Sequence, residues 1–431
     1  MHSVLKIMTM LDLFLDILKG PCSLNRGDSV LVCCSGGVDS MVLLDLMDKA
    51  ARPMGLRIGV VHIDHGIRGD ESHHDARFVI EQCERMHIDS YVYELDISPE
   101  TPNLEEEARI RRYEAIMKCA REHGYTFVAT GHTMDDQAET IIYRFIRGSG
   151  IRGLAGMDYT TKDGLLRPLL GFSRREIEHY AAAGGISHVN DRTNEDTKLV
   201  RNRIRHELLP LMRKINPSVV NAVSRLSDIA REEGNALADL AQSLEERAVV
   251  FNWDLVRAYK SDILLDAGEA LARRLIIAVL TDMLGEPRGV DAIQIQGIMD
   301  VLTGLKRAHT IKRRVHAELD DNMLVFSTTL KGPFFDVAVE GPGIHTLEGI
   351  NQKIEIRVPR QDLPLLRVRS YIPGDRIGTK KVSRILSEGG VARTLRVFWP
   401  VVLLKDEVVC VAGMKGSCRD MDIQTEFPYH E

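Results

Sequence analysis

Apolar and polar positions in the first 180 residues alternate between short apolar runs and segments whose apolar residues recur every three to four positions. The apolar runs predict strands at 28–34, 56–64, 90–97 and 126–131. The periodic segments predict helices at 37–51, 71–87, 104–123 and 135–147. Because helices provide the right-handed crossovers between parallel strands, this alternation predicts an α/β fold with a doubly wound, Rossmann-like parallel sheet. Ligands of such a sheet bind beyond the carboxyl ends of the strands.

The pattern changes after Asn216-Pro217, a dipeptide that is typical of a linker. Residues 218–300 have mostly helical periodicity, and short β segments follow from about residue 308. A length of 431 residues fits two or three domains. The sequence therefore predicts a doubly wound domain, a mainly helical domain and a small α+β domain, at 1–216, 217–340 and 341–431.

Charge is unevenly distributed along the chain, whose formal net charge is −6. Residues 198–214 contain six basic residues and one acidic residue, and residues 360–396 contain nine basic and three acidic residues. One such basic island is more often a solvated surface. Two well-separated islands favour contact with a polyanion such as RNA.

Cysteine and apolar patterns bear on the cellular compartment. The seven cysteines are scattered and form no C-x-x-C pair, which favours a reducing cytoplasm and argues against a zinc or iron–sulfur site. No apolar run is long enough to span a membrane, and charges interrupt the apolar stretch Val4–Leu18. That stretch predicts an amphipathic helix and not a signal peptide. We therefore expect a cytoplasmic protein without a membrane partner.

The segment Ser35-Gly36-Gly37-Val38-Asp39-Ser40 follows the first predicted strand and begins the next helix. Adjacent glycines allow a sharp turn that points backbone N–H groups at an anion, and the helix N-terminus adds partial positive charge. The segment therefore indicates a pyrophosphate site, although it lacks the lysine and the spacing of the G-x-x-x-x-G-K-S/T loop. Asp39 would repel phosphate unless a divalent cation lies between them, which indicates Mg²⁺. An ordinary glycine turn with a serine cap is the alternative.

Two further segments could contribute to a nucleotide site. The apolar end of the second strand, with His62 and Ile63, could flank a purine while its backbone hydrogen-bonds the adenine edge. His62 and His65 have the spacing of metal ligands, but no third ligand is evident, which disfavours a metal site. Arg109 and Arg112 lie three apart on a predicted helix, where they could clamp a phosphate or pair with surface acids.

The helix after the fourth strand begins with several polar residues. Asp136 and Glu139 share one face of that helix, where they could hold Mg²⁺ or a substrate ammonium group. The spacing Thr133-x-x-Asp136 also resembles a capping box, which only begins a helix. A capping box gives no role to Glu139, so the sequence favours a site for Mg²⁺ or an ammonium group over a helix cap alone.

Arg201 and Arg205 are four residues apart and share a face of a later predicted helix. They could bind a carboxylate or an RNA phosphate. A solvated basic helix end is the alternative.

Six segments together resemble one family. They are Ser35–Ser40, His62-x-x-His65-Gly66-Ile67-Arg68, Ala108-Arg109-x-x-Arg112-Tyr113, Gly131-His132-x-x-Asp135-Asp136-Gln137-x-Glu139-Thr140, Arg147-Gly148-Ser149-Gly150 and Arg201-Asn202-x-Ile204-Arg205. This combination resembles the tRNA(Ile)-lysidine synthetases, within the N-type ATP-pyrophosphatase or PP-loop superfamily. The resemblance is strong over residues 25–215 and general in the helical middle. The tail at Pro373–Lys381 resembles the family's RNA-binding module, but residues 384–396 depart from its pattern.

The resemblance implies a two-step reaction that uses ATP and Mg²⁺. ATP adenylates the carbonyl oxygen at carbon 2 of the wobble cytidine in isoleucine tRNA with a CAU anticodon. The ε-amine of L-lysine then displaces AMP and forms lysidine. The resemblance also allows a homodimer.

The resemblance distributes roles over residues of this sequence. Catalytic roles fall on Asp39, Arg112, His132 and Asp136. ATP contacts fall on Ser35, Gly36, Gly37, Val38, Asp39, Ser40, His62, Ile63 and Gly131, with Mg²⁺ on Asp39. Lysine contacts fall on Asp136, Glu139 and Arg205, with Arg201 as the alternate for the lysine carboxylate. Contacts to tRNA fall on Arg201, Arg203, Arg376, Lys380 and Lys381.

Three other functions deserve comparison. A tRNA thiolase of the same superfamily would commonly need reactive cysteines, which lie poorly here. An asparagine-synthetase-like amidotransferase would need a glutaminase domain, usually with a cysteine directly after the first methionine, whereas this chain begins Met1-His2. A tRNA-binding module with a vestigial nucleotide site would not benefit from Asp136 and Glu139 beside a phosphate loop, because carboxylates weaken the binding of RNA phosphates.

Overall fold

The computed structural model describes residues 9–64, 70–95, 104–189, 200–285, 291–312, 314–320, 322–328, 334–339, 342–347, 352–357, 366–414 and 424–426. The motif residues His65–Arg68 lie outside the described residues. The chain forms two compact units, Met1–Gly234 and Asn235–Glu431. None of the helices in the described ranges is long and apolar enough to cross a membrane. The division into three domains stays a prediction.

The first unit is an α/β structure. Its helices are α1 (Met10–Lys19), α2 (Val38–Met54), α3 (Asp70–Met86), α4 (Leu104–Glu122), α5 (Met134–Ile146), α6 (Ile151–Leu154), α7 (Arg174–Gly184), α8 (Val200–Arg203), α9 (Leu209–Ile215) and the start of α10 (Val219–Ala248). Its strands are β1 (Ser29–Cys33), β2 (Arg57–Asp64), β3 (Asp89–Glu94), β4 (Phe127–Ala129) and β5 (Leu165–Leu166). A 3₁₀ turn at Pro168–Gly171 and a π-helical turn at Ile204–Leu208 complete the regular structure described in this unit.

The five strands form one parallel sheet in the order β3-β2-β1-β4-β5. This arrangement confirms the predicted doubly wound sheet. The direction of strand order reverses between β1 and β4, so their carboxyl ends border the crevice in which such folds bind ligands.

Strand β1 is buried on both faces, which is why its sequence is a continuous apolar run. Val30 and Val32 pack with α1, α2 and α7 on one face, and Leu31 packs with Ile116 and Cys119 of α4 on the other. Side chains alternate across a strand, so one run of apolar residues serves two cores. The buried strand fixes the position of the loop that follows it.

The second unit contains the rest of α10, further helices and antiparallel sheets. Its other helices are α11 (Ser261–Asp266), α12 (Glu269–Leu284), α13 (Ala292–Leu302) and α14 (Val382–Glu388). Its strands are β6 (Val249–Trp253), β7 (Val256–Lys260), β8 (Ala308–Ile311), β9 (Val315–Asp320), β10 (Met323–Thr328), β11 (Asp336–Ala338), β12 (Gly343–Leu347), β13 (Gln352–Arg357), β14 (Leu366–Ser370), β15 (Arg376–Ile377), β16 (Lys380–Lys381), β17 (Pro400–Leu404), β18 (Glu407–Val411) and β19 (Gln424–Glu426). The sheet orders are β6-β7-β10-β9-β8, β11-β14-β17-β18, β12-β13-β19 and β15-β16.

Strands β6 and β7 differ from the helical periodicity predicted for residues 218–300. They pair as a hairpin that forms one edge of a five-stranded sheet, and β7 pairs with β10. The other three strands of this sheet come from later in the chain. Phe251 and Trp253 are buried while Asn252 between them is exposed, which is the two-residue period of a strand. Each strand has only five residues between helices, so the helical pattern of its neighbours hid this signal.

Candidate active site

The loop Ser35–Ser40 connects β1 to α2 at the carboxyl edge of the sheet. Gly36 has φ +88°, and a Cβ at that position would lie 2.8 Å from Val189 Cγ2, so both conformation and space require glycine. Ser40 Oγ accepts the N–H of Ser35 at 3.2 Å and donates to the Gly37 carbonyl at 2.9 Å, which closes the loop on itself. Gly37 caps α2 without a side-chain hydrogen bond, and Val38 is buried. The first turn of α2 therefore keeps backbone N–H groups for an anion.

The ends of β2 and β4 lie against this loop. A Cβ on Gly131 would lie 3.3 Å from Ser40 N, so the absence of a side chain lets this residue approach the loop backbone. His62 is buried, and its Nδ1 lies 2.9 Å from the Cys34 carbonyl oxygen. Ile63 is partly buried and packs on the other face of the sheet. The imidazole of His62 thus supports the loop, and the nucleotide contacts of His62, Ile63 and Gly131 stay predictions.

Asp39 is the second residue of α2 and places its carboxylate beside the loop. Its Oδ2 accepts a hydrogen bond from Arg174 Nη1 at 2.8 Å, whereas its Oδ1 is buried without a hydrogen-bond partner among the described residues. Burial raises the pKa of Asp39 to about 6, although the positive charge of Arg174 opposes the rise.

The surroundings of Asp39 fit a magnesium ion. Mg²⁺ prefers oxygen ligands and is commonly held by one or two carboxylates together with substrate phosphates and water. No group of three or more His, Cys, Asp or Glu side chains that could hold a metal occurs within the described ranges. The unpartnered Oδ1 of Asp39 is a single protein ligand of the required kind.

A cluster of two carboxylates and two arginines lies next to the loop. Arg205 donates through Nε to Glu139 Oε1 at 2.5 Å and through Nη2 to Asp136 Oδ1 at 2.8 Å. Arg201 donates through Nε to Glu139 Oε2 at 3.1 Å, and its Nη2 lies 3.4 Å from Asp136 Oδ1. The charges of Asp136 and Arg205 also act on Asp39, which places the cluster and the loop in one site.

Local sequence explains how the cluster forms. Asp136 Oδ2 accepts the backbone N–H of Thr133 at 2.9 Å, so the capping box predicted as the alternative is present. Asp136 Oδ1 remains directed at the arginines, so capping and site formation use different oxygens of one carboxylate. The π-helical turn at Ile204–Leu208 follows α8 and directs Arg205 to the same two acids as Arg201. Such turns are frequent at functional sites.

Asp135 has other partners than Asp136. Its Oδ2 accepts the backbone N–H of Arg174 at 2.8 Å, and its Oδ1 accepts a hydrogen bond from Arg213. Asp135 thereby joins the starts of α5 and α7 to α9. Of the two neighbouring acids, Asp136 is the one that faces the cluster.

Protonation in the site follows burial and charge. Burial lowers the pKa of His132 to about 4 against the pull of Asp136, so its imidazole is neutral at pH 7. Thr130 Oγ1 lies 2.9 Å from His132 Nδ1 and orients the ring. Burial acts to raise the pKa of Asp136, but the charge of His132, which is protonated at acid pH, the Thr133 N–H and the charges of Arg201 and Arg205 together hold it below its usual value. Asp136 is therefore ionised at neutral pH.

The remaining predicted residues lie at the surface. Arg112 is exposed on α4, and Arg203 lies 3.3 Å from Glu207. In the second unit, Lys380 is paired with Glu388 at 2.7 Å, and Lys381 is exposed. Arg376 Nη1 donates to the Thr379 carbonyl at 3.3 Å. Their contacts to RNA stay predictions.

Two features of the site were not predicted from the sequence. The first is Arg174, whose position after the helix cap Ser173 gives no sign that it reaches Asp39. The second is a clamp on the glycine-rich loop after α5. Gln137 donates to the Met157 carbonyl at 2.9 Å and accepts the Met157 N–H at 2.7 Å, while Arg231 donates to the Ala155 and Met157 carbonyls. The glycine content of residues 148–171 indicated a loop here but not its partners.

Comparison with known proteins agrees with this geometry. The family described as PP-loop domain matches residues 12–212, and the family described as TilS substrate C-terminal domain matches residues 360–426. The first unit is thus an ATP-binding domain of the PP-loop class.

Curated relatives narrow the class further. The tRNA(Ile)-lysidine synthase of Symbiobacterium thermophilum is 30% identical over 91% of this chain and 90% of its own length. That of Dehalococcoides mccartyi is 31% identical over 85% of this chain and 82% of its own length. This chain belongs to the tRNA(Ile)-lysidine synthase family, a family of ATP-using ligases. Family membership confirms the resemblance and the enzyme class predicted from the sequence.

Among solved structures, the U34-tRNA thiolase of Methanococcus maripaludis with its iron–sulfur cluster is similar. It shares 17% identity and a TM-score of 0.44, over 51% of this chain and 78% of its own.

Proposed function

We propose that this protein ligates L-lysine to carbon 2 of the wobble cytidine in isoleucine tRNA with a CAU anticodon, through an adenylated tRNA intermediate. The observation that carries the proposal is the acid–arginine cluster beside the Ser35–Ser40 loop. A phosphate loop and a site for a zwitterionic amino acid are the two parts that such a ligase needs. Family membership supports the same reaction.

In the adenylation step the loop holds the pyrophosphate that leaves. Backbone N–H groups at the start of α2 face the phosphates, and Asp39 Oδ1 is the proposed ligand for Mg²⁺. Mg²⁺, when bound, would neutralise phosphate charge as it develops. Neutral His132 and exposed Arg112 are the proposed groups that stabilise the adenylate, through a hydrogen bond and a positive charge respectively.

In the ligation step the cluster holds the lysine. Glu139 is 1% exposed and is held by both arginines, whereas the side chain of Asp136 is 15% exposed. Asp136 is therefore the acid that an incoming ammonium group reaches first. Only the neutral amine attacks carbon 2, so the ε-ammonium group of lysine must first lose a proton. The ionised Asp136 is the group that accepts this proton. Arg205, with Arg201 as the alternate, holds the lysine carboxylate, since both guanidinium groups are more exposed than their shared partner Glu139, at 28% and 40% against 1%.

Binding of tRNA completes the proposal. Arg201 and Arg203 in the first unit and Arg376, Lys380 and Lys381 in the second contact RNA phosphates, which position the substrate without reading its sequence. We also propose that the chain has three domains, at 1–216, 217–340 and 341–431. The protein is further proposed to form a homodimer and to act in the cytoplasm.

The test is incorporation of labelled lysine into unmodified isoleucine tRNA with a CAU anticodon, in the presence of ATP and Mg²⁺. The product is then treated with mild alkali. Label that depends on ATP and survives alkali is expected, because lysine is bonded to the base through nitrogen. Label that alkali removes would reveal an ester at the tRNA end and contradict the proposal.

A further inference from the structure

We propose that Arg174 binds the β- and γ-phosphates of ATP and the pyrophosphate that leaves. Arg174 is the first residue of α7, and its guanidinium reaches across the carboxyl edge of the sheet to Asp39. This inference rests on the proposed function, because it requires ATP to bind at the Ser35–Ser40 loop.

The loop has a shortage of positive charge. The sequence Ser35–Ser40 contains no basic side chain, whereas the related G-x-x-x-x-G-K-S/T loop carries a lysine that reaches the β- and γ-phosphates. The charges of Arg174 and Arg205 both act on Asp39, and Arg174 has the larger effect. Arg205 donates to Glu139 and Asp136 and is assigned to the lysine, so Arg174 is the better placed of these two cations for the phosphates.

The backbone of Arg174 is fixed while its side chain is accessible. Asp135 Oδ2 accepts the Arg174 N–H at 2.8 Å, and Arg213 holds the other oxygen of Asp135. Ser173 and Glu176 form a capping box that fixes the same helix start. The Arg174 side chain is 41% exposed. A fixed anchor with an exposed guanidinium is suited to binding a ligand.

The hydrogen bonds of the guanidinium leave part of it for an anion. Nη1 donates to Asp39 Oδ2 at 2.8 Å and Nε to Glu178 Oε1 at 3.2 Å, while Nη2 has no partner among the described residues. Guanidinium groups bind phosphate through two parallel N–H donors. Arg174 therefore supplies in space the phosphate-binding cation that the loop lacks in sequence.

The experiment compares ligands that differ in their phosphates. Affinities for ATP, pyrophosphate and AMP are measured by calorimetry, with Mg²⁺ and with EDTA, for wild type, Arg174→Met and Arg174→Lys. Arg175→Met is the control, because Arg175 is the next residue of the same helix and is exposed. Thermal unfolding checks that each variant is folded.

Arg174→Met is expected to weaken ATP and pyrophosphate about 10- to 100-fold, as for the loss of a charge-assisted hydrogen bond. The affinity for AMP should change less than twofold, because AMP lacks the β- and γ-phosphates. Arg174→Lys should lose less ATP affinity than Arg174→Met. Arg175→Met should leave all three affinities unchanged. The loss should persist in EDTA, since it does not depend on the metal.

Two results would overturn the inference. Equal weakening of ATP and AMP would mean that Arg174 only maintains the fold of the site. Unchanged or tighter ATP binding would mean that it only neutralises Asp39. If Arg174→Met does not fold, the ATP-to-AMP affinity ratio of Arg174→Lys and Arg174→Gln decides in the same way. A wild-type protein that binds neither ATP nor AMP would instead overturn the proposed ATP site.

Discussion

Arg205 forms a bidentate ion pair with Glu139, in which its Nε lies 2.5 Å from Oε1 and its Nη2 lies 3.1 Å from Oε2. This is the fork geometry in which arginine binds carboxylates most strongly. Because Glu139 is almost fully buried, the pair sets the shape of the proposed lysine site.

Glu139→Gln should raise the KM for lysine about 10- to 100-fold and leave tRNA adenylation within about threefold of wild type. Glutamine keeps the size of the side chain but removes the charge that holds Arg205 and Arg201. Steady-state kinetics of the two half-reactions provides the measurement. Glu207→Gln, at an exposed acid paired with Arg203, is the control and should change neither. An unchanged KM for lysine in Glu139→Gln would remove Glu139 from the lysine site.

Asp136→Asn should slow ligation about 10²- to 10⁴-fold, because the amide cannot accept a proton from the amine. Its single amide oxygen can accept the Thr133 N–H or face the arginines but not both, so the variant should also lose stability, and thermal unfolding checks that it is folded at the assay temperature. Adenylation measured by pyrophosphate release should continue. Full incorporation of lysine by this variant would rule out Asp136 as the proton acceptor.

Asp39 gives stability and nucleotide binding a defined dependence on pH. Its pKa of about 6 in the folded protein exceeds the value of the unfolded chain, so the folded state binds more protons between about pH 4 and pH 6. As pH rises from about 4 to about 6, the free energy of unfolding should therefore fall, by no more than about 3 kcal/mol, and it should stay level at higher pH. Denaturant titrations of wild type and Asp39→Asn provide the comparison, and the variant should lack this fall. Mg²⁺-dependent ATP affinity should decrease as pH falls through about 6, because protonated Asp39 loses its charge. The same pH profile in both proteins would contradict the assignment.

Gly156 lies in the glycine-rich loop and packs against Gln137 of α5, the helix that carries Asp136 and Glu139. Its φ is +67°, and a Cβ there would lie 2.5 Å from Gln137 Oε1. Gly156→Ala should destabilise the protein by about 2–4 kcal/mol, from backbone strain and the displaced glutamine. Gly148→Ala has similar strain at φ +77° but open space, so it should cost only about 1–2 kcal/mol. Equal thermal shifts for the two variants would show that the Gln137 clamp contributes nothing.

Lys381 tests the proposed RNA contact in the second unit. Lys381→Gln should weaken tRNA binding and lower the slope of log affinity against log salt by about 1, because one phosphate contact is lost. Lys353→Gln, at an exposed lysine of β13 outside the basic islands, should leave the slope unchanged. Binding is measured by filter retention across a salt series. Identical slopes for the two variants would place Lys381 outside the interface.

The sequence predicted the elements of the first unit well because their signals are local. The four strands and four helices predicted between residues 28 and 147 occur in the structure with ends within three residues. For the helix predicted at Val4–Leu18, the structure describes Met10–Lys19. The carboxyl-edge positions of the Ser35–Ser40 loop and of Asp136 followed from that topology. The hairpin β6–β7 was missed because five-residue strands between helices carry too little pattern.

Contacts between distant residues could not be read from the sequence. Arg174 and Asp39 are 135 residues apart, and nothing in either segment signals the other. Asp135 and Asp136 are neighbours of the same chemistry, and only the fold shows that Asp135 anchors α7 while Asp136 faces Arg205. Spacing predicted that Arg201 and Arg205 share a face, but not that this face meets Glu139.

The most direct test of the account follows the label of ATP through the two steps. Wild-type protein is incubated with isoleucine tRNA bearing a CAU anticodon, Mg²⁺ and ATP labelled at the α-phosphate, first without lysine and then with it. We expect the tRNA to gain AMP label, and pyrophosphate to be released, before lysine is added. Lysine should then discharge the label as AMP in equal amount to the lysidine formed. Lysidine formation without any labelled tRNA intermediate would contradict the account.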